Sequence, residues 1–205
     1  MKKSMMLSII LFFMFHGIGL ADAPKGVGGF VLGKHIKEYK QMLKMETATS
    51  IRNQQYIHEL ETKEIAGFKT GYISFGNCSE LGRIVRIKLK YLNSTKKFYN
   101  SLLKRFKKKF GEPSEWRGDP FHVVIAWKWS FIDNDNNRIS LILQHNTKDQ
   151  EEKMGNSVKL NMTNLIEEER LCYEKKSDES GTSLKSKTHE TKNKLPINWD
   201  LFIPR

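Results

Sequence analysis

An α+β fold, an antiparallel sheet with helices packed on one of its faces, is predicted by three features of this sequence. Val85, Ile87, Leu89 and Tyr91 alternate with Arg86, Lys88 and Lys90, the period of a strand with one packed and one wet face. Tyr99, Leu102, Leu103, Phe106 and Phe110 recur at spacings of three and four, the period of a helix with an apolar stripe. A helix followed by three strands then reads twice along the chain, with the helices beginning about 60 residues apart, which makes two αβββ pseudo-repeats.

The elements come in the following order. Residues 1–21 stand apart from the fold: Met1-Lys2-Lys3 is a positive start, and Met5 to Phe15 is an apolar run too short to span a bilayer comfortably; an N-terminal membrane anchor is the alternative, for which the stretch through Leu20 is only marginally long enough. Gly19-Leu20-Ala21 has small residues at both positions that a signal peptidase reads, so a leader ending at Ala21 is expected. Cleavage after Ala23 would leave Pro24 first. No cysteine follows the run, so no lipid anchor is expected. The chain has 205 residues, is 39% hydrophobic and carries a net charge of +12. That is too apolar for a disordered chain, and large enough for one core. The product is expected to be soluble and exported, periplasmic or extracellular, with an α+β domain over 22–175.

The first half, about 30–92, opens with a short strand at Phe30 to Leu32. A helix follows on the stripe Ile36, Tyr39, Met42 and Leu43, up to about Met45. From Asn53 the period becomes two. Strands are expected around Tyr56 to Leu60, over Phe68 to Phe75 after the Gly67 turn, and over Val85 to Tyr91. In the second half, about 93–165, Asn93-Ser-Thr95 caps the second helix, and Gly111 and Pro113 end it. Strands then read over Val123 to Phe131, Arg138 to Gln144 and Ser157 to Met162. A last helix runs from Asn164 to about Lys175. Residues 176–205 form a tail: Ser177 to Lys194 holds no aromatic residue and is expected to be disordered. Its apolar end carries Ile197, Trp199, Leu201 and Phe202, which fit a segment that docks on a partner.

Two αβββ units under one set of helices resemble the tandem-repeat architecture of the beta-lactamase inhibitor proteins. The stretch Phe106-Lys-Lys-Lys-Phe-Gly-Glu-Pro113, leading to Ala126-Trp-Lys-Trp129, is similar to helix-to-strand junctions of uncharacterised exported bacterial proteins. The resemblance covers about 30 to 165 and implies a fold; it implies no activity and no site residue.

Cysteines, histidines, acids, aromatics and bases are the residues that could carry chemistry. In an oxidising compartment Cys78 and Cys172 are expected to be bridged rather than free. Asp133-Asn-Asp-Asn-Asn137 begins like a calcium loop, but Arg138 stands where glycine is needed and Gln144 where a bidentate Glu belongs, so a hairpin turn is expected. No metal site is assigned and no cofactor signature is present. Gly26, Gly28 and Gly33 fit neither the dinucleotide fingerprint nor a phosphate loop. None of the six histidines pairs at a metal-ligating spacing. His58, His122 and His145 would need to converge, with Glu59 or Asp119 as a carboxylate, for a nuclease-like hydrolase. Trp127, Trp129 and Phe131 share a strand face and read as core; Trp116 lies in a polar loop and reads as surface.

The basic residues carry the functional expectation. Lys96, Lys97, Lys104, Arg105, Lys107, Lys108 and Lys109 take up nearly all of the second helix outside its stripe. Of these, Lys97, Lys104, Arg105, Lys107 and Lys108 are the candidate polyanion-binding set. Arg86, Lys88 and Lys90 project from the other side of the sheet, a spread of charge that argues against one shaped, sequence-specific nucleic-acid groove. The sequence therefore predicts a non-enzymatic binding module of the cell envelope, contacting a protein or an anionic polymer. A small secreted hydrolase is the alternative.

Overall fold

The computed structural model describes residues 23–147 and 155–182. The expected leader and the docking candidates Ile197, Trp199, Leu201 and Phe202 lie outside the described residues, as does 183–194 of the segment expected to be disordered. A small hairpin comes first, β1 (Gly26–Val27) paired with β2 (Phe30–Val31). Gly28 and Gly29 turn it with φ of 62° and 88°, a conformation that glycine alone adopts without strain. Gly28 also rests on Leu89, where a Cβ would collide with the Leu89 side chain.

Eight strands then build one antiparallel sheet in the order β3-β4-β5-β6-β10-β9-β8-β7. They are β3 (Leu43–Ile51), β4 (Gln54–Thr62), β5 (Phe68–Gly76), β6 (Ile84–Tyr91), β7 (Glu115–Trp116), β8 (Val124–Ile132), β9 (Arg138–Asn146) and β10 (Gly155–Met162). Helix α1 (Lys96–Phe110) follows β6, and α2 (Thr163–Thr182) follows β10. The α+β class is thus the one that the periods predict.

Each half is a four-strand meander ending in a helix, and the last strands of the two meanders, β6 and β10, pair with each other. The expected three strands per half therefore become four. Each helix also crosses to the other half, for α1 packs on β9 and β10 while α2, which also touches β9, packs mainly on β4, with β5 and β6 beside it. This exchange makes the two halves one core.

The expected helix up to Met45 is corrected to a single 3-10 turn, Ile36–Tyr39, followed by β3. The His35 side chain accepts from the Lys37 N–H and the Glu38 carboxylate returns to the His35 N–H, so the turn is capped at once. Strand β3 has no apolar alternation because it is the sheet's edge. Thr47 pins its bulge, its hydroxyl donating to the Lys44 carbonyl and accepting from the Glu61 N–H. A polar, bulged strand is how an edge avoids pairing with other chains. The other correction falls on α2, which continues to Thr182, into the segment expected to be disordered. Arg170 ties Glu167 and Glu174 along it, and the Ser177 hydroxyl donates back to the Tyr173 carbonyl.

One cross-strand row shows where the core lies. Trp129, Leu141, Leu160, Ile87, Ile73 and Leu60 are consecutive register partners across six strands, and all are buried. Against this face, Phe106 meets Trp129 at 5.8 Å between rings and Phe110 meets Phe131 at 5.7 Å. Both ends of α1 are fixed. Thr95 accepts from the Phe98 N–H at the start, and the Trp129 indole donates to the Gly111 carbonyl at 2.8 Å at the end.

The Asp133 turn joins β8 to β9 and holds the N-terminal hairpin. Its carboxylate accepts from the backbone N–H groups of Asp135 and Asn137 and pairs with Lys25 at 2.9 Å, and Asn136 takes a φ of 60°. Burial raises the Asp133 pKa, but the bonds from Lys25, Asn137 and Asp135 outweigh it and pull it down to about 2. A depressed carboxyl contributes stability above its unfolded value, near ~4, and loses it as pH falls through the folded one. The Val27 and Phe30 amide resonances should therefore shift with a midpoint near pH 2, and Asp133→Asn should abolish that shift.

Candidate functional site

Two cationic surfaces emerge, one on α1 and one on the open face of the sheet. On α1, Lys96, Lys97, Lys104, Arg105, Lys108 and Lys109 are exposed, and Lys107 pairs with Glu112 at 2.6 Å. The five candidate residues Lys97, Lys104, Arg105, Lys107 and Lys108 all stand outside the apolar stripe. Lys107, Lys108 and Lys109 sit in the last turn, where the helix dipole favours them. The same dipole disfavours Lys96 and Lys97, and the first turn has no acidic residue. Lys104 with Lys107 and Lys108, and Arg105 with Lys108 and Lys109, add like-charge pairs three and four apart. Such pairs cost ~0.2–0.5 kcal/mol each in an exposed helix. α1 thus carries charge beyond what its own stability calls for.

On the open face, the row next to the core row reads Glu61, Tyr72, Lys88, Lys159, Ile142, Lys128 and Glu115. The outer acids are taken, Glu61 by Lys44 at 3.0 Å and Glu115 by Lys128 at 3.0 Å and Arg117 at 2.8 Å. Lys88 and Lys159 stand directly opposite each other at the sheet's centre, a destabilising arrangement. Arg86 lies beside them and bonds to neutral oxygens, Asn161 Oδ1 at 3.0 Å and Gln54 Oε1 at 3.3 Å. Burial, and then the charges of Arg86, Lys88 and Arg117, push the Lys159 pKa down. Glu59 lies close enough to act on Arg86, so this face mixes signs where α1 does not.

The other candidates resolve plainly. His58 bonds with Ser50 and meets Phe75, His122 lies against Trp116, and buried His145 bonds with Asn156 and stacks on Tyr99. They occupy β4, the loop before β8, and β9, and the structure does not bring them together. The Asp119 carboxylate is used by the backbone N–H groups of Phe121 and Val124, the latter bond leading in lowering its pKa. Glu59 accepts from the Ser74 hydroxyl. Among the described residues no group of three or more His, Cys, Asp and Glu is placed to hold a metal ion. Trp127 and Trp129 belong to the face under α1; Trp116 is half-buried, edge-on to Trp127 at 4.8 Å.

Cys78 and Cys172 form a disulfide, with Cα atoms 5.8 Å apart. Sequence reasoning missed what lies one helical turn before it. Glu169 is buried, and its carboxylate accepts four backbone N–H groups, those of Asn77, Cys78, Ser79 and Glu80, at 2.6–3.1 Å. Gly76 makes room, since a Cβ there would run into Glu169 Oε1. No motif announces such a carboxylate. The one available signal was a glutamate three residues before a cysteine on the same helix face.

No family model, curated protein or solved structure matches this chain.

Glu169→Gln turns one acceptor into a donor facing a backbone N–H, and should lower the stability to urea by about 2 kcal/mol. Replacing both cysteines by serine should cost up to ~4 kcal/mol. Because both devices fasten the same loop, the combined variant should depart from additivity by at least ~0.5 kcal/mol.

Proposed function

We propose that this chain is an exported, non-enzymatic binding module of the cell envelope whose α1 surface engages an anionic polymer. The observation that carries the reading is the charge on α1, seven bases without one acidic residue inside the helix, against the dipole at its first turn. A polymer of negative charge relieves that repulsion and releases its own counterions. Export is supported by the leader that the sequence predicts at residues 1–21 and by a disulfide, which persists in oxidising compartments. Among the described residues no helix is long and apolar enough to cross a membrane.

The sheet's open face is the internal comparison, because it carries cations as well. Lys104→Gln with Lys108→Gln removes the same charge as Lys88→Gln with Lys159→Gln. Binding to heparin and to duplex DNA should weaken mainly in the first variant. On DNA its slope of log K against log salt should become less negative by roughly 0.9 for each phosphate that is no longer neutralised. Equal losses in both variants would mean that only the general field acts, and α1 would not be the site. The hydrolase reading is tested on the same protein: nuclease activity that disappears in His58→Ala, His122→Ala or His145→Ala would replace the binding reading.

A further inference from the structure

Helix α1 and the β1–β2 hairpin both rest on the apolar face of the sheet, and between them lies a cleft of about 260 Å³. Its floor and walls are apolar: Val27 comes from the hairpin, Phe106 and Phe110 from α1, and Leu141, Val158 and Leu160 from the sheet. Arg105 and Lys109, four residues apart and thus on one side of α1, line it as well. Both are exposed, and neither has an ion-pair partner among the described residues. Tyr91 lines it too, with Pro24 and Gly26; burial pushes the Tyr91 hydroxyl up to about 12, so it remains a hydrogen-bond donor at any ordinary pH.

We propose that this cleft binds a single-chain anionic amphiphile, its alkyl chain on the Leu141, Val158 and Leu160 floor and its head group between Arg105 and Lys109. Size and charge together select that class. A water's share of liquid is ~30 Å³, and a methylene is of similar size, so the volume matches a single chain of on the order of eight carbons. Two cations without an acidic partner beside an apolar cleft, Lys109 lying over the Phe110 ring at 5.2 Å, discriminate between anionic and neutral head groups. The proposal shares Arg105 with the polymer reading but is tested apart from it, since Lys104 and Lys108, which test that reading, do not line the cleft.

The test is calorimetry of the purified protein with octyl phosphate and with octanol. Octyl phosphate should bind one to one with Kd below about 1 mM, and octanol roughly tenfold more weakly. Arg105→Gln with Lys109→Gln should remove that preference while leaving octanol unchanged, and Lys104→Gln with Lys108→Gln should keep it. Val27→Trp should fill the cleft and abolish both. If this variant fails to fold, the two double-Gln variants still decide. An absence of saturable binding, or the same loss in both double-Gln variants, would overturn the proposal. So would binding to phosphatidylglycerol vesicles without binding to octyl phosphate. Tenfold tighter binding in Trp199→Ala with Phe202→Ala would assign the cleft to the chain's own apolar end and overturn it too.

Discussion

The Glu169 carboxylate is the constraint on which the rest of the structure turns. A buried charge costs several kcal/mol unless it is fully bonded. Here four converging N–H groups from residues 77–80 supply the bonds. Those groups converge only if the β5–β6 connection curls around the helix, so one side chain fixes both the loop and the position of α2. The disulfide one turn later holds the same pair of elements covalently. The fastening is needed because α2 is only weakly amphipathic: beyond Leu165 and Ile166 it offers the core little, and Leu171 is exposed. A helix with a poor apolar face needs other means of attachment.

Once α2 is held over the first meander and α1 over the second, the sheet is forced to be one body, and its alternation by single residues separates two kinds of surface. The row from Trp129 to Leu60 is dry; the row from Glu61 to Glu115, one residue along each strand, is ionic. A slip of one residue anywhere would bury Lys88 and Lys159 and expose Leu160 and Ile87, so register is set by a penalty far larger than any of the surface ion pairs. The central lysines are tolerated because Lys88 is exposed and Lys159 only half-buried.

Much of this was legible in the sequence. Period two located β4, β5, β6, β8, β9 and β10, and period three to four with the Thr95 and Gly111 caps located α1, because in each case burial on one side writes a pattern into the chain. Strand β3 was not legible, since an edge strand with both faces half wet has no such pattern, and Leu43 and Met42 completed a false helical stripe. Two-residue β7 is too short to carry a period. The far end of α2 was read as disordered from a composition that a solvated helix shares. At the candidate site the cations of α1 were plain; a bridge between the two cysteines was expected from an oxidising compartment, but that they meet depends on the fold. The row of charges across β6 and β10 was not, since it depends on which strands are neighbours. Glu169 depends on a contact about ninety residues away in sequence.

What makes α1 more than a run of lysines is the way it is held. Buried Asn156 on β10 donates to the carbonyls of Asn93 and Thr95 at 2.8 and 3.0 Å, and its own oxygen meets His145, which stacks on Tyr99 in the first turn. The Trp129 indole holds the other end. A basic segment free in solution would have to give up ~1–2 kcal/mol of backbone entropy per residue on ordering against a partner, enough to cancel most of what a few screened charges contribute. In α1 that cost is already met by folding, so an anionic partner of the kind proposed would order only the side-chain ends. The polar network beneath the helix, which touches no ligand, thus converts a high net charge into a preorganised surface.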